Sequence, residues 1–113
     1  MGTIQHNAII VTSWDDKSLD AAKQKIIDIW GLYEDYHPVI FDSELNSTKS
    51  IFIPPDGSKE GWEASDIGDE RRKAFKDWIT KIEKDPENEI YLDVVDVSYG
   101  ECGTEIEFSN CNL

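Results

Sequence analysis

Apolar and polar positions along the chain divide into short runs with two different periods. The first, Asn7–Trp14, reads Asn-Ala-Ile-Ile-Val-Thr-Ser-Trp and holds three consecutive β-branched apolar residues, Ile9, Ile10 and Val11. A run without alternation predicts a central strand with apolar neighbours on both faces. Ser13, Asp15 and Asp16 then supply a capping side chain and negative charge for a helix start. Leu19, Ala22, Ile26, Ile29, Trp30 and Tyr33 recur at three- and four-residue steps, which predicts an amphipathic helix over Asp16–Trp30 that stops at Gly31. Val39–Phe41 and Ser50–Ile53 predict two short strands of a hairpin, the second ended by Pro54 and Pro55. Pro55-Asp56-Gly57-Ser58 is a turn signal, and the stretch from there to Asp69 shows no period and reads as a long acidic loop containing Trp62. A second helix is expected over Asp69–Lys84, with Ala74 or Phe75, Trp78, Ile79 and Ile82 buried and Arg71, Arg72, Lys73, Lys76, Lys81 and Lys84 on its outer face. Glu89–Tyr99 predicts a strand with Val95, Val97 and Tyr99 on one face and Val94 and Asp96 on the other. After a turn at Gly100–Gly103, Thr104–Ser109 alternates, with Ile106 and Phe108 pointing one way and Glu105 and Glu107 the other.

The order β-α-β-β-α-β-β contains a β-α-β-β-α-β core. It therefore predicts an α+β, ferredoxin-like fold: an antiparallel sheet with two helices on one face and an additional C-terminal strand. The length of 113 residues suits a single domain, 1–113, and four Trp, four Tyr and four Phe provide large side chains for its core. No stretch is long enough to span a membrane, and the N-terminus has no signal-peptide pattern. Cys102 and Cys111 match no metal or redox motif and read as reduced thiols of a cytosolic protein.

Charge changes the picture most. The formal net charge is −13, from 24 acidic and 11 basic residues. Such a surface opposes direct binding to nucleic acid or an anionic membrane and favours a basic protein partner. The acids are also unevenly placed. Glu60, Glu63, Asp66, Asp69 and Glu70 form one stretch, and Glu83, Asp85, Glu87, Glu89, Asp93, Asp96, Glu101, Glu105 and Glu107 form another, interrupted only by Lys84.

Chemistry-bearing constellations are sparse. His6 and His37 stand at element boundaries, and neither Ser13 near His6 nor Cys102 with a histidine has a spacing that marks a catalytic pair. Asp66, Asp69 and Glu70 are potential cation ligands without the pattern of a calcium loop. Asp93 and Asp96 face opposite ways on a regular strand. No catalytic residue, metal or cofactor is therefore assigned.

The opening Met-Gly-Thr-Ile-Gln-His-Asn-Ala-Ile-Ile-Val-Thr-Ser-Trp and the Pro-Asp-Gly-Ser-Lys-Glu-Gly-Trp segment resemble small acidic proteins of bacteria and their phages. No activity is carried over with that resemblance. It implies a phage-encoded modulator of a host protein, such as an inhibitor of a restriction or CRISPR system. The expected function is a non-enzymatic interaction module that presents Glu60, Trp62, Glu63, Asp66, Asp69, Asp93, Glu101, Glu105 and Glu107 to the basic groove of a nucleic-acid-binding enzyme. The competing readings are a small enzyme or ligand-binding protein using the sheet face or the Trp62 loop, and a homo-oligomer that extends its sheet through the C-terminal hairpin.

Overall fold

The computed structural model describes residues 4–31, 39–55 and 61–111. Among these, the elements run β1 (Gln5–Ser13), α1 (Asp16–Trp30), β2 (Ile40–Asp42), β3 (Lys49–Ile53), α2 (Glu63–Glu83), β4 (Asp93–Gly100) and β5 (Glu105–Ser109). One five-stranded sheet is ordered β2-β3-β1-β4-β5, and every neighbouring pair is antiparallel. This is the ferredoxin-like arrangement with β5 added beyond β4.

The apolar spacing of α1 translates directly into packing. Leu19, Ala22, Ile26 and Trp30 are buried, and Gly31 closes the helix by donating its N–H to Ile27 O at 2.7 Å. The start is held by Asp15, whose carboxylate accepts from Ser18 N at 3.2 Å and Ser18 Oγ at 2.6 Å. These residues meet Ile9 and Val11 of β1, Ile51 and Ile53 of β3, Val94 of β4, and Phe75 and Ile79 of α2 in one core.

The strand expected from Glu89 begins only at Asp93, and four further expectations need correction. First, β1 is central, but its two faces differ. Ile9 and Val11 are fully buried beneath the helices, whereas Ile10 between them is 41% exposed. With both helices on one side of a single sheet, the other side has no covering element among the described residues. Second, α2 begins at Glu63, six residues before the expected start. Its first two turns bury Ser65 and Gly68, small residues that leave no hydrophobic period to read. Ala74 is exposed, and Phe75 is the residue that packs. Third, the basic residues of α2 do not all face outward. The side chains of Arg72 and Lys76 are largely covered, the first paired with Asp69 and the second with the buried Asp96. Fourth, a bulge interrupts β5. Ile106 pairs with Val97 and Phe108 with Asp96, so Glu107 is an extra residue and Ile106 and Phe108 fall on opposite faces. The expected common face for Ile106 and Phe108 is lost.

The β4–β5 turn is tied to the start of β1. Gly100 has φ +137°, and a Cβ there would meet Ile4 O at 2.8 Å. Gly100→Ala is expected to cost about 1–3 kcal/mol through backbone strain and displacement of β1. A urea titration followed by tryptophan fluorescence reads this as a lower midpoint with an unchanged slope.

Candidate functional site

The geometry of the acidic stretches follows from the direction of α2. Lys76 Nζ meets Asp96 Oδ2 at 2.9 Å, while Glu83 and Leu92 O both accept from Asn110 Nδ2. The helix therefore runs antiparallel to β4. Counting back from Lys76 at about 1.5 Å per residue lifts Glu63 by about 20 Å. Counting forward from Asp96 at about 3.4 Å per residue lifts Gly100 by about 14 Å. The N-terminal turns of α2 and the β4–β5 turn thus stand at the same end of the domain. Glu63, Asp66 and Asp69 share that end with Glu101 and Glu105.

Asp93 does not join them. It opens β4 opposite Thr12, at the far end of the sheet. Glu60 and His37 lie outside the described residues, as do residues 56–58 of the expected turn. Glu107 occupies the bulge, so it has no cross-strand partner in the ladder and does not stand in register beside Glu105.

Within the acidic end the groups are held in different ways. Glu63 and Asp66 lie in the first turn of α2, where the helix dipole favours negative charge. Trp62 is the N-cap residue. Its side chain makes no capping bond, but its carbonyl accepts from Ser65 N at 3.0 Å and Asp66 N at 3.2 Å. The residue as a whole is 52% exposed. Asp69 is spent on Arg72. Lys73 turns along the helix to Asp77 at 2.9 Å, and that hydrogen bond, with the accompanying charge attraction, holds the lysine above its ordinary pKa. Neither pair extends to the β4–β5 turn.

That turn is positioned by a residue to which sequence reasoning assigned no role. Gln5 Nε2 donates to Ser98 Oγ at 2.9 Å and Gly103 O at 3.0 Å, and its Oε1 accepts from Cys102 N at 2.9 Å. Glu101 closes the arrangement: its N–H donates to Ile4 O at 3.1 Å, and its carboxylate accepts from Ile4 N at 3.2 Å. The turn carboxylate thus sits on a fixed frame with its charge still facing solvent.

The other chemical candidates separate. Ser13 and His6 lie seven positions apart on one strand, about 23 Å in extended geometry, and an odd separation puts them on opposite faces. Ser13 is buried; its hydroxyl donates to Tyr91 O and accepts from Asp15 N at 3.1 Å. Cys102 and Cys111 are free, exposed thiols at opposite ends of β5. The strand holds them apart by more than a disulfide can span. Among the described residues no group of three or more His, Cys, Asp or Glu side chains is arranged to hold a metal ion. No helix there is long and apolar enough to cross a membrane.

The second notable surface is the open sheet face. The register places Ile10 beside Phe52 and Val95, and Ala8 beside Val97, which in turn neighbours Ile106. Phe41, Phe52 and Ile106 are exposed along with Ile10. The signal was present in the sequence as the apolar residue at position 10, because a single sheet with helices on one side must leave one apolar row of this strand open.

No protein-family model, curated protein or solved structure matches this chain. The fold and the placement of its charges are therefore the basis for a functional reading.

Proposed function

We propose that the chain is a non-enzymatic protein-interaction module that docks its acidic end into a basic groove of a partner protein. The observation that carries this reading is that the start of α2 and the β4–β5 hairpin, distant in sequence, bring a few residues of each acidic stretch to one end of the domain, while Glu83 and Asp93 of the second stretch lie at the other. Glu63 and Asp66 come from the start of α2, and Glu101 and Glu105 from the β4–β5 hairpin, with Trp62 half-exposed at the helix cap. Grooves that bind nucleic acid carry the complementary charge, so a nucleic-acid-processing enzyme is the partner class of best fit. The resemblance to small acidic bacterial and phage proteins favours a phage-encoded inhibitor of a host defence enzyme. Exposed free thiols agree with action in a reducing cytosol.

Charge reversal tests this. Immobilised protein is exposed to host extract at low and high salt, and a retained protein is then assayed for nucleic-acid binding with and without the chain. Glu101→Lys and Glu105→Lys are each expected to weaken capture by about tenfold, whereas Glu87→Lys, exposed beyond the C-terminal end of α2 and so at the far end of the domain, leaves it unchanged. Capture should also fall as salt screens the interaction. Retention that resists both salt and charge reversal would sink the docking role.

A further inference from the structure

We propose that the open face of the sheet is the interface of a homodimer, with two copies packed face to face about a two-fold axis. The charge pattern of this face is the first reason. In a chain that is 31% Asp, Glu, Lys and Arg, Asp93 alone carries a full charge among the described residues that the strand ladders place on this side. The remainder are apolar, aromatic, hydroxyl or imidazole side chains. A surface under no demand beyond solubility would show the composition of the rest of the exterior.

Size is the second reason. Four strand spacings of about 4.8 Å and six residue steps of about 3.3 Å give a patch about 19 Å by 20 Å. Side chains standing on such a patch offer about 600–800 Å² of accessible surface, close to what each partner contributes to a stable interface.

The shape and the field suit a second copy. Sheets pack on one another face to face through their twist, and an isologous pair needs only a self-complementary surface. The row Ala8–Val97–Ile106 contains both a low and a high position, Ala8 at 3% and Ile106 at 68% exposure, which a two-fold axis can interlock. Two copies each at −13 repel, and this nearly uncharged face lets them meet with the least repulsion. Pairing through the edge of β5 is less favourable: the strand has five residues, a bulge, and Glu105 and Glu107 along it.

The dimer and the acidic docking end respond oppositely to salt, so the two readings fail separately. Sedimentation velocity over a concentration series, at low and high salt, measures self-association directly. The unmodified chain is expected to form a dimer that tightens as salt rises. Ile106→Lys and Phe52→Lys should each weaken it by about a hundredfold, with unchanged circular dichroism, because both side chains are already exposed in the monomer. Leu45→Lys, in the exposed β2–β3 turn, should leave it intact. A chain that stays monomeric throughout, or a dimer that survives the Ile106→Lys and Phe52→Lys pair, overturns the proposal. Hydrogen exchange that protects the edge of β5 while leaving the amides of the open face's central strands unchanged on dimerisation does the same.

Discussion

Replacing Lys76 with Met is expected to destabilise the domain by about 3–5 kcal/mol, the usual consequence of removing one partner from a buried ion pair. Asp96 is the reason. It lies in the middle of β4, between Val95 and Val97, with Ile9 and Phe108 as cross-strand neighbours. Its side chain is 1% exposed, and Lys76 Nζ meets one carboxylate oxygen at 2.9 Å. The other oxygen, Oδ1, has no hydrogen-bond partner among the described residues. Without the ammonium, the carboxylate would have neither counter-ion nor donor in an apolar layer. Thermal melting should record a fall of about 10–20 °C for a loss of this size. Lys76→Met combined with Asp96→Leu removes both charges and fills the site, and is expected to restore or exceed the original stability. A double variant no more stable than Lys76→Met alone would show that the pair contributes more than mutual neutralisation. Because the pair lies in the helix-facing layer, the double variant should leave both the capture assay and the sedimentation behaviour as they are for the unmodified chain.

Much of this fold was legible because several elements carry strong local signals. In α1 the spacing of Leu19, Ala22, Ile26 and Trp30, with acids before it and Gly31 after it, specifies both faces and both ends. The strands of β1, β3 and β4 announce themselves through β-branched runs. The start of α2 was hidden because Ser65 and Gly68 pack without being hydrophobic, so a period detected by apolarity finds nothing there. The length of the supposed loop was itself a warning, since structureless connections of that size are uncommon in compact domains. The bulge in β5 was invisible for another reason. Glu-Ile-Glu-Phe alternates perfectly, and only pairing with β4 reveals the extra residue.

The acidic end was legible in composition and not in geometry. Counting acids located two stretches, yet nothing local could say whether they meet. The answer came from the antiparallel course of α2 against β4, which a pair of contacts at Lys76 and Asn110 defines. Asp93 belongs to the same acidic stretch in sequence and falls at the far end of the sheet. Arg72 and Lys76 looked like members of a solvated basic face. Their ammonium and guanidinium groups are instead paired at Asp96 and Asp69, which removes two positive charges from the free surface.

Phe75→Ala is expected to cost about 3–5 kcal/mol, a large share of the about 5–15 kcal/mol that holds a domain of this size together. Phe75 is fully buried, with its ring centroid 6.2 Å from that of Trp30 and 5.8 Å from that of Trp78. It is the largest of the fully buried side chains among the described residues. The buried residues in the N-terminal half of α2 are the small Ser65 and Gly68, so Phe75 and Ile79 do most to fix the helix on the sheet and thereby fix where Glu63 and Asp66 stand. Phe75→Leu, which keeps most of the volume, should cost less than about 1.5 kcal/mol. Urea unfolding monitored by tryptophan fluorescence separates the two, and the aromatic contacts make the native emission itself sensitive to the change. Hydrogen exchange should quicken over residues 63–70 of Phe75→Ala before it does so in β1, because the start of the helix has no other large anchor. A loss below about 1.5 kcal/mol for Phe75→Ala would mean that α2 is not seated as described, and the shared acidic end would lose its geometric foundation. Glu63→Gln and Asp66→Asn act mainly elsewhere: each should lower stability by no more than about 1 kcal/mol through the helix dipole, while weakening any interaction that depends on the charge they carry.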